Sequence, residues 1–262
     1  MKNNNQNNND RNRFVYTDEE MPGIIVTKQA QESNLNDSVS SQKQNETKMK
    51  FIQFVNLMHK SRDHENLFDK IIDLLMNELC ISAGLKKYRI VECEIYYDDK
   101  KDHQDPYLYG HEKQSKKLEW YFHYSGIDLT LGNDCNIKGG ILIRSVLDLE
   151  SNTLFSGPLK SSNIILNNAH VGSFQSTIEN KPLCLESFNY SETEAGFEKT
   201  IRIGLDQGKI LKERTNQQEE DSYFYRKKYR YILKPYVGIK KYSDDALKNE
   251  KRLANIINTA KK

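Results

Sequence analysis

The chain has 262 residues, 37% of them hydrophobic and 29% charged, with a net charge of only +2. That length and apolar content suffice for a substantial core in one or two domains; the charge balance excludes a globally basic coat, so any anion-binding surface must be local. Four dispersed cysteines without a C-x-x-C pair, and no secretory leader ahead of them, read as reduced thiols in the cytosol or nucleus, and no run approaches the roughly 20 apolar residues of a membrane-spanning helix.

Residues 1–48 begin with Asn and Gln and continue through Gln, Ser, Asn and Lys, with one brief apolar patch, Met21-Pro-Gly-Ile-Ile-Val26. So little apolar surface cannot offset the entropy of ordering, and the expectation is a disordered tail through which a protein partner could dock. The pattern then changes. Phe51, Phe54, Val55 and Met58, followed by Leu67, Ile71, Ile72, Leu75, Met76 and Leu79, recur at spacings of three and four, which predicts two amphipathic helices. Asp63 ahead of Asn66 signals the start of the second, and Gly84 its end.

The stretch Tyr88-Arg-Ile-Val-Glu-Cys-Glu-Ile-Tyr-Tyr97 alternates as a strand, with Val91, Cys93 and Ile95 on one face and Glu92, Glu94 and Tyr96 on the other. Two acids at i and i+2 repel unless water, a donor or a ligand intervenes. The strand is therefore a solvated edge or the floor of a site. A polar loop over 98–111 follows, holding His103, Asp105 and His111. His103, His111 and Glu94 are metal-ligating types, in a spacing that matches no strong metal signature.

Leu118-Glu-Trp-Tyr-Phe-His-Tyr124 predicts an aromatic strand, Ser125-Gly126 a bend, and Ile127-Asp-Leu-Thr-Leu131 the continuation. Rings on successive strand residues point to alternate faces, so one core cannot bury them all, and some are expected to face a pocket. The apolar strand over 139–146 is interrupted by Arg144, whose guanidinium must pair with Glu92 or Glu94 or touch a phosphate. Gly157-Pro158 opens a short helix through Ile164-Ile-Leu166. Residues 167–197 predict no element, and Thr200-Ile-Arg-Ile-Gly-Leu205 returns to strand alternation.

Over 222–233, Tyr223, Phe224, Tyr225, Tyr229 and Tyr231 interleave with Arg226, Lys227, Lys228 and Arg230. Such interleaving suits contact with phosphates and bases, and equally an edge strand guarded by its cations. Ser243-Asp-Asp ahead of Ala246 and Leu247 predicts a capped terminal helix.

Taken in order, Arg89-Ile-Val-Glu-Cys-Glu-Ile-Tyr96, His103, Trp120-Tyr-Phe-His-Tyr124 with Gly126, Gly140-Ile-Leu-Ile-Arg-Ser-Val146, Gly157-Pro-Leu-Lys160, Arg202-Ile-Gly-Leu205 and Tyr229-Arg-Tyr-Ile232 resemble the alkyladenine DNA glycosylase family, the eukaryotic type of 3-methyladenine DNA glycosylase, over about 67–233. The resemblance implies an α+β fold, a single domain over 49–262 with a curved, mostly antiparallel β-sheet flanked by helices. It implies a monofunctional hydrolase of base excision repair that flips an alkylated or deaminated purine out of duplex DNA and cleaves its glycosidic bond with water. On that resemblance Glu94 is the catalytic carboxylate that activates water. Tyr96, Tyr121 and His103 wall the base pocket with Arg144 beside it, and Tyr124 is the wedge that replaces the flipped base. Arg226, Lys227, Lys228 and Arg230 would meet phosphates. The expected partner is double-stranded DNA with a damaged base, bound by a monomer in the nucleus without cofactor or metal. The loop after His103 is shorter than the family's, and Ser125 separates Tyr124 from Gly126. The alternative is therefore a catalytically inactive nucleic-acid-binding or assembly subunit on the same scaffold.

Overall fold

Two helices lead into the sheet in the computed structural model, which describes residues 36–169, 183–190, 195–215 and 223–237 together with helical positions 248, 251, 252 and 255. The first two helices are α1 (Asn36–Met58) and α2 (His64–Asn77). Their apolar spacing does what it predicts: Phe51, Val55 and Met58 of α1 and Leu67, Phe68, Ile71, Ile72 and Leu75 of α2 are buried. Asp63 caps α2 by accepting the Asn66 N–H. Helix α1 begins at Asn36, inside the segment expected to be disordered as far as 48. Its later turns explain this, since the buried Thr47 hydroxyl donates to Glu78 at 3.1 Å and Phe51 anchors one face in the core. Residues 1–35 of the expected tail lie outside the described residues.

Helix α2 stops at Asn77, well before Gly84. Leu79–Ala83 forms strand β1, and Ala83 pairs with Lys86 across a two-residue turn in which Gly84 has φ 62°. A hairpin of that length needs a positive φ at its first central residue, so Gly84 ends a strand and not a helix.

Strand β2 (Lys86–Asp98) is the spine. One edge pairs with β5 (Lys138–Asp148) along almost all of its length; the other pairs first with β1 and then, from Glu92 to Glu94, with β9 (Arg230–Leu233). Beyond β5 come β4 (Gly126–Leu131) and β3 (Lys117–His123). The shorter strands β6 (Leu154–Ser156), β7 (Cys184–Ser187) and β8 (Phe197–Thr200) lie against β5, β1 and β9. Every pairing is antiparallel, and the single sheet curls into a half-barrel. The α+β class, with a curved antiparallel sheet flanked by helices, is thus as expected. Cys93, Ile95, Tyr97, Ile141, Ile143 and Tyr231 join the helices in the main core. The opposite face carries the acids.

Helix α3 (Pro158–Ala169) starts after Gly157, as its Gly-Pro pair predicts. The Ser161 hydroxyl bonds the Arg144 carbonyl at 3.0 Å, tying the first turn of α3 to the strand behind Arg144. The remaining described elements are 3-10 turns at Glu112–Ser115 and Phe224–Arg226, α4 (Gln207–Thr215) and α5 (Lys234–Val237).

Three more expectations change. The strand over 200–205 is displaced toward the N-terminus: β8 ends at Thr200, and the chain from Ile201 is irregular because Arg202 turns inward. Over 222–233, only Arg230–Leu233 is a strand, and it is buried between β2 and β8, so it is no guarded edge. The stretch 167–197, expected to lack elements, contributes the end of α3 and β7, with 170–182 and 191–194 outside the described residues. The terminal helix shows as helical positions 248, 251, 252 and 255, while its expected cap Ser243 also falls outside them. Among the described residues no helix is long and apolar enough to cross a membrane.

Candidate functional site

The register aligns one row of side chains across the sheet. Tyr121 on β3 faces Asp128 on β4, which faces Leu142 on β5, which faces Glu94 on β2, which faces Arg230 on β9. Residues directly opposite in a ladder share a face, so the pairing places Tyr121 and Glu94 on one surface, three strand spacings or ~14 Å apart at the backbone. Tyr96 lies one step along β2 on the same face, opposite Gly140. Asp128 occupies the space above Gly140, where a Cβ would come within 2.9 Å of its Oδ2.

Both acids are buried and neither is bare. Glu92 Oε1 accepts from Arg144 Nε at 2.9 Å and Arg230 Nε at 2.7 Å, and its Oε2 accepts from the Ser145 hydroxyl at 2.6 Å. Adjacent residues of a regular strand point to opposite faces, so Arg144 and Ser145 could not both reach one carboxylate. The register shifts on either side of Glu92 allow it. Burial works to raise the Glu92 carboxyl, but Arg144 and then Arg230 outweigh it and hold the group below its ordinary value.

Glu94 has no exposed surface. Its Oε2 accepts the Tyr96 hydroxyl at 2.8 Å; its Oε1 accepts the Ile203 N–H at 2.8 Å and lies 3.3 Å from Arg144 Nη1. Arg144 is therefore shared between the acids. Burial opposes its charge, but Glu94 and Glu92 outweigh that and strengthen proton binding. The Tyr96 hydroxyl is pushed well above its usual range, by burial first and by the Glu94 charge second, and stays a donor. Three donors on a carboxylate with about four acceptor positions leave one unfilled.

A further ion pair lies behind Tyr96. Arg202 and Asp105, both side chains fully buried, form a two-pronged bridge, and Arg202 also donates to the carbonyls of Ile95 and Phe224. Its guanidinium lies 4.5 Å from the Tyr96 ring centre and 5.5 Å from those of Tyr107 and Tyr229. The neighbouring Ile203 supplies the N–H to Glu94, so the Arg202 anchor places that donor. Arg202 and Asp105 stand in the sequence motifs without an assigned role. The signal was present, since Arg202 interrupts an apolar alternation just as Arg144 does.

The expected site residues separate. Glu94, Tyr96 and Arg144 meet directly. Tyr121 shares their face, but its ring stacks on His111 and on His123. Tyr124 is exposed at the β3–β4 turn, a position open to a ligand. His103 is placed elsewhere, buried among Phe68, Tyr97, Phe224 and Tyr229. Its Nδ1–H donates to the Tyr97 carbonyl at 2.8 Å and its Nε2 meets the Tyr229 hydroxyl at 2.9 Å. Tyr97 points to the core face, and His103 follows it there, so it does not join Tyr96 as a pocket wall.

Arg230 is buried with its Nε on Glu92 and is no phosphate contact. Lys227 pairs with Glu65 at 3.0 Å, while Arg226 and Lys228 are exposed. His103, His111 and Glu94 do not converge on one ion, and among the described residues no group of three His, Cys, Asp or Glu is arranged to hold a metal. On the opposite face a cavity of about 470 Å³, lined by Phe51, Leu79, Leu118, Trp120, Leu129 and Leu185, sits away from both acids.

No family model matches the chain. The chain is similar to a protein of Acanthamoeba polyphaga mimivirus described as uncharacterized, with 31% identity over 126 residues, covering 39% of this chain and 58% of that protein. It thus spans little more than half the length of that relative.

Proposed function

We propose that the protein is a DNA glycosylase-like hydrolase that cleaves the N-glycosidic bond of a flipped, alkylated or deaminated purine. The observation that carries this reading is the Glu94 carboxylate, oriented by Tyr96, Arg144 and the Ile203 N–H on the sheet face that also bears Tyr121. Glu94 would take a proton from water as the oxygen bonds to the sugar carbon. The carbon–nitrogen bond breaks, the electron pair leaves with the base, and the base acquires a proton. Arg144 sits 3.3 Å from Glu94 Oε1 and would orient the carboxylate. Tyr124, exposed at the β3–β4 turn, would fill the gap left in the duplex.

The test is base release from duplexes containing alkyladenine or hypoxanthine. Wild type should produce abasic sites, and Glu94→Gln should be slower by about 10²- to 10⁴-fold, the usual contribution of a general base. Equal behaviour of the two proteins across the panel rejects the reading.

A second reading is a catalytically inactive nucleic-acid-binding or assembly subunit. It is favoured by the coverage of Glu94 and Tyr96: the acid is paired on both oxygens and Arg202 lies over the Tyr96 ring. Salt-dependent duplex binding without base release would select it.

A further inference from the structure

Strand β3, the loop before it and the turn after it carry five rings that contact one another to one side of the acid pair. His111 stacks on Tyr121 with ring centres 5.1 Å apart and planes at 15°, Tyr121 on His123 at 5.1 Å and 30°, and His123 on Tyr109 at 6.3 Å and 17°. Tyr124 meets Tyr109 edge-on at 5.7 Å. A core would hide such a set, yet Tyr124 is 74% exposed, Tyr109 is 56% exposed and His111 is exposed as well.

The loop that carries Tyr109 and His111 is pinned. Gln114, in the 3-10 turn Glu112–Ser115, donates to buried Asp128 at 2.9 Å and accepts from the Gly110 N–H at 2.8 Å. Lys138 donates to the Gly110 carbonyl at 2.7 Å. Gly132 admits the Ser115 backbone so closely that a Cβ would lie 2.0 Å from its carbonyl oxygen. The rings are ordered before any ligand arrives, which lowers the entropic cost of binding.

Cations flank the rings. Lys113 and Lys138 lie on the loop side, and exposed Lys160 lies in the first turn of α3, whose Pro158 packs against Gly126 beside the Tyr124 turn.

We propose that this ring surface binds the bases of single-stranded DNA, so that the preferred substrate carries an unpaired stretch beside the target nucleotide. The proposal rests on the glycosylase reading for its function. In a duplex the faces of the bases are hidden in the stack, so the exposed rings of Tyr109, His111 and Tyr124 could stack only on bases that are unpaired. The lysines suit the phosphates that accompany such bases, whereas a neutral peptide would have no use for them.

Fluorescence anisotropy of a labelled oligothymidine of about 12 nucleotides, compared with a duplex of the same length, tests this. Wild type should bind the single strand more tightly and lose affinity as salt is raised. Tyr109→Ala and His111→Ala should each weaken single-strand binding by roughly 10-fold and reduce the preference over duplex, while Tyr109→Trp should restore it. Duplex bound as tightly as oligothymidine, or alanine variants with wild-type affinity, overturns the proposal. Base release measured on the same preparations separates the two ideas. Excision without ring-dependent single-strand binding removes this inference alone, and ring-dependent binding without excision removes the glycosylase reading alone.

Discussion

Replacing Arg202 by methionine keeps most of the side-chain volume and removes one buried charge. Asp105, with no exposed side-chain surface, then loses its bidentate partner, and the carbonyls of Ile95 and Phe224 lose a donor. Stranding one member of a buried pair costs about 3–5 kcal/mol, and each buried acceptor left unsatisfied adds about 1 kcal/mol or more. Against a typical domain stability of roughly 5–15 kcal/mol, this is a large loss. Urea unfolding followed by Trp120, the single tryptophan, provides the assay. The expected result is a midpoint shift equivalent to at least ~3 kcal/mol. Adding Asp105→Leu removes the stranded charge, so the double variant should recover ~1–2 kcal/mol of that loss. A single variant that loses less than ~1 kcal/mol, or a double variant less stable than the single, would refute the claim that this bridge holds Tyr96 and Ile203 in place.

Acid should destabilise the fold in two stages. Burial lowers the His103 pKa below 6.5, so the folded protein resists protonation; that contribution is complete above about pH 6.5 and is lost as pH falls through it. Glu92 is depressed below its unfolded value of 4.5, so its contribution is present above that pH and is lost as pH falls toward the lower folded value. Urea midpoints should therefore decline first below pH 6.5 and again below 4.5, and a flat profile from pH 7 to 5 contradicts the His103 assignment. Gly132→Ala should destabilise severely, by several kcal/mol, because its Cβ would meet the Ser115 backbone at 2.0 Å. Gly157→Ala has φ 104° to contend with but open space, and should cost only ~1–3 kcal/mol. Equal melting temperatures for the two variants would count against that ordering.

Much of the layout was legible in the linear order of residue types. Spacings of three and four located α1 and α2, alternation located β2 with its acids on one face, and Gly157-Pro158 located the start of α3. These signals are local, because each depends only on which side of its own element a residue faces. Arg144 was recognisable as a charge in need of a partner for the same reason, although its division between Glu92 and Glu94 was not.

What the tertiary structure alone decided is which faces meet. Arg230 reads like a surface cation beside Lys227 and Lys228, and becomes a buried partner of Glu92 only because β9 pairs with β2 across 138 positions of sequence. His103 is a pocket wall on the family resemblance, and lies in the core because the loop returns its imidazole to the Tyr97 carbonyl. The ring surface on β3 depends on a loop folded back by Gln114 and Asp128, a contact between elements that no local period encodes. By itself the sequence determined the acids, their face and their need for cations. Long-range pairing supplied the particular arginines, because a charge states that it requires a partner and only the folded chain brings one within reach.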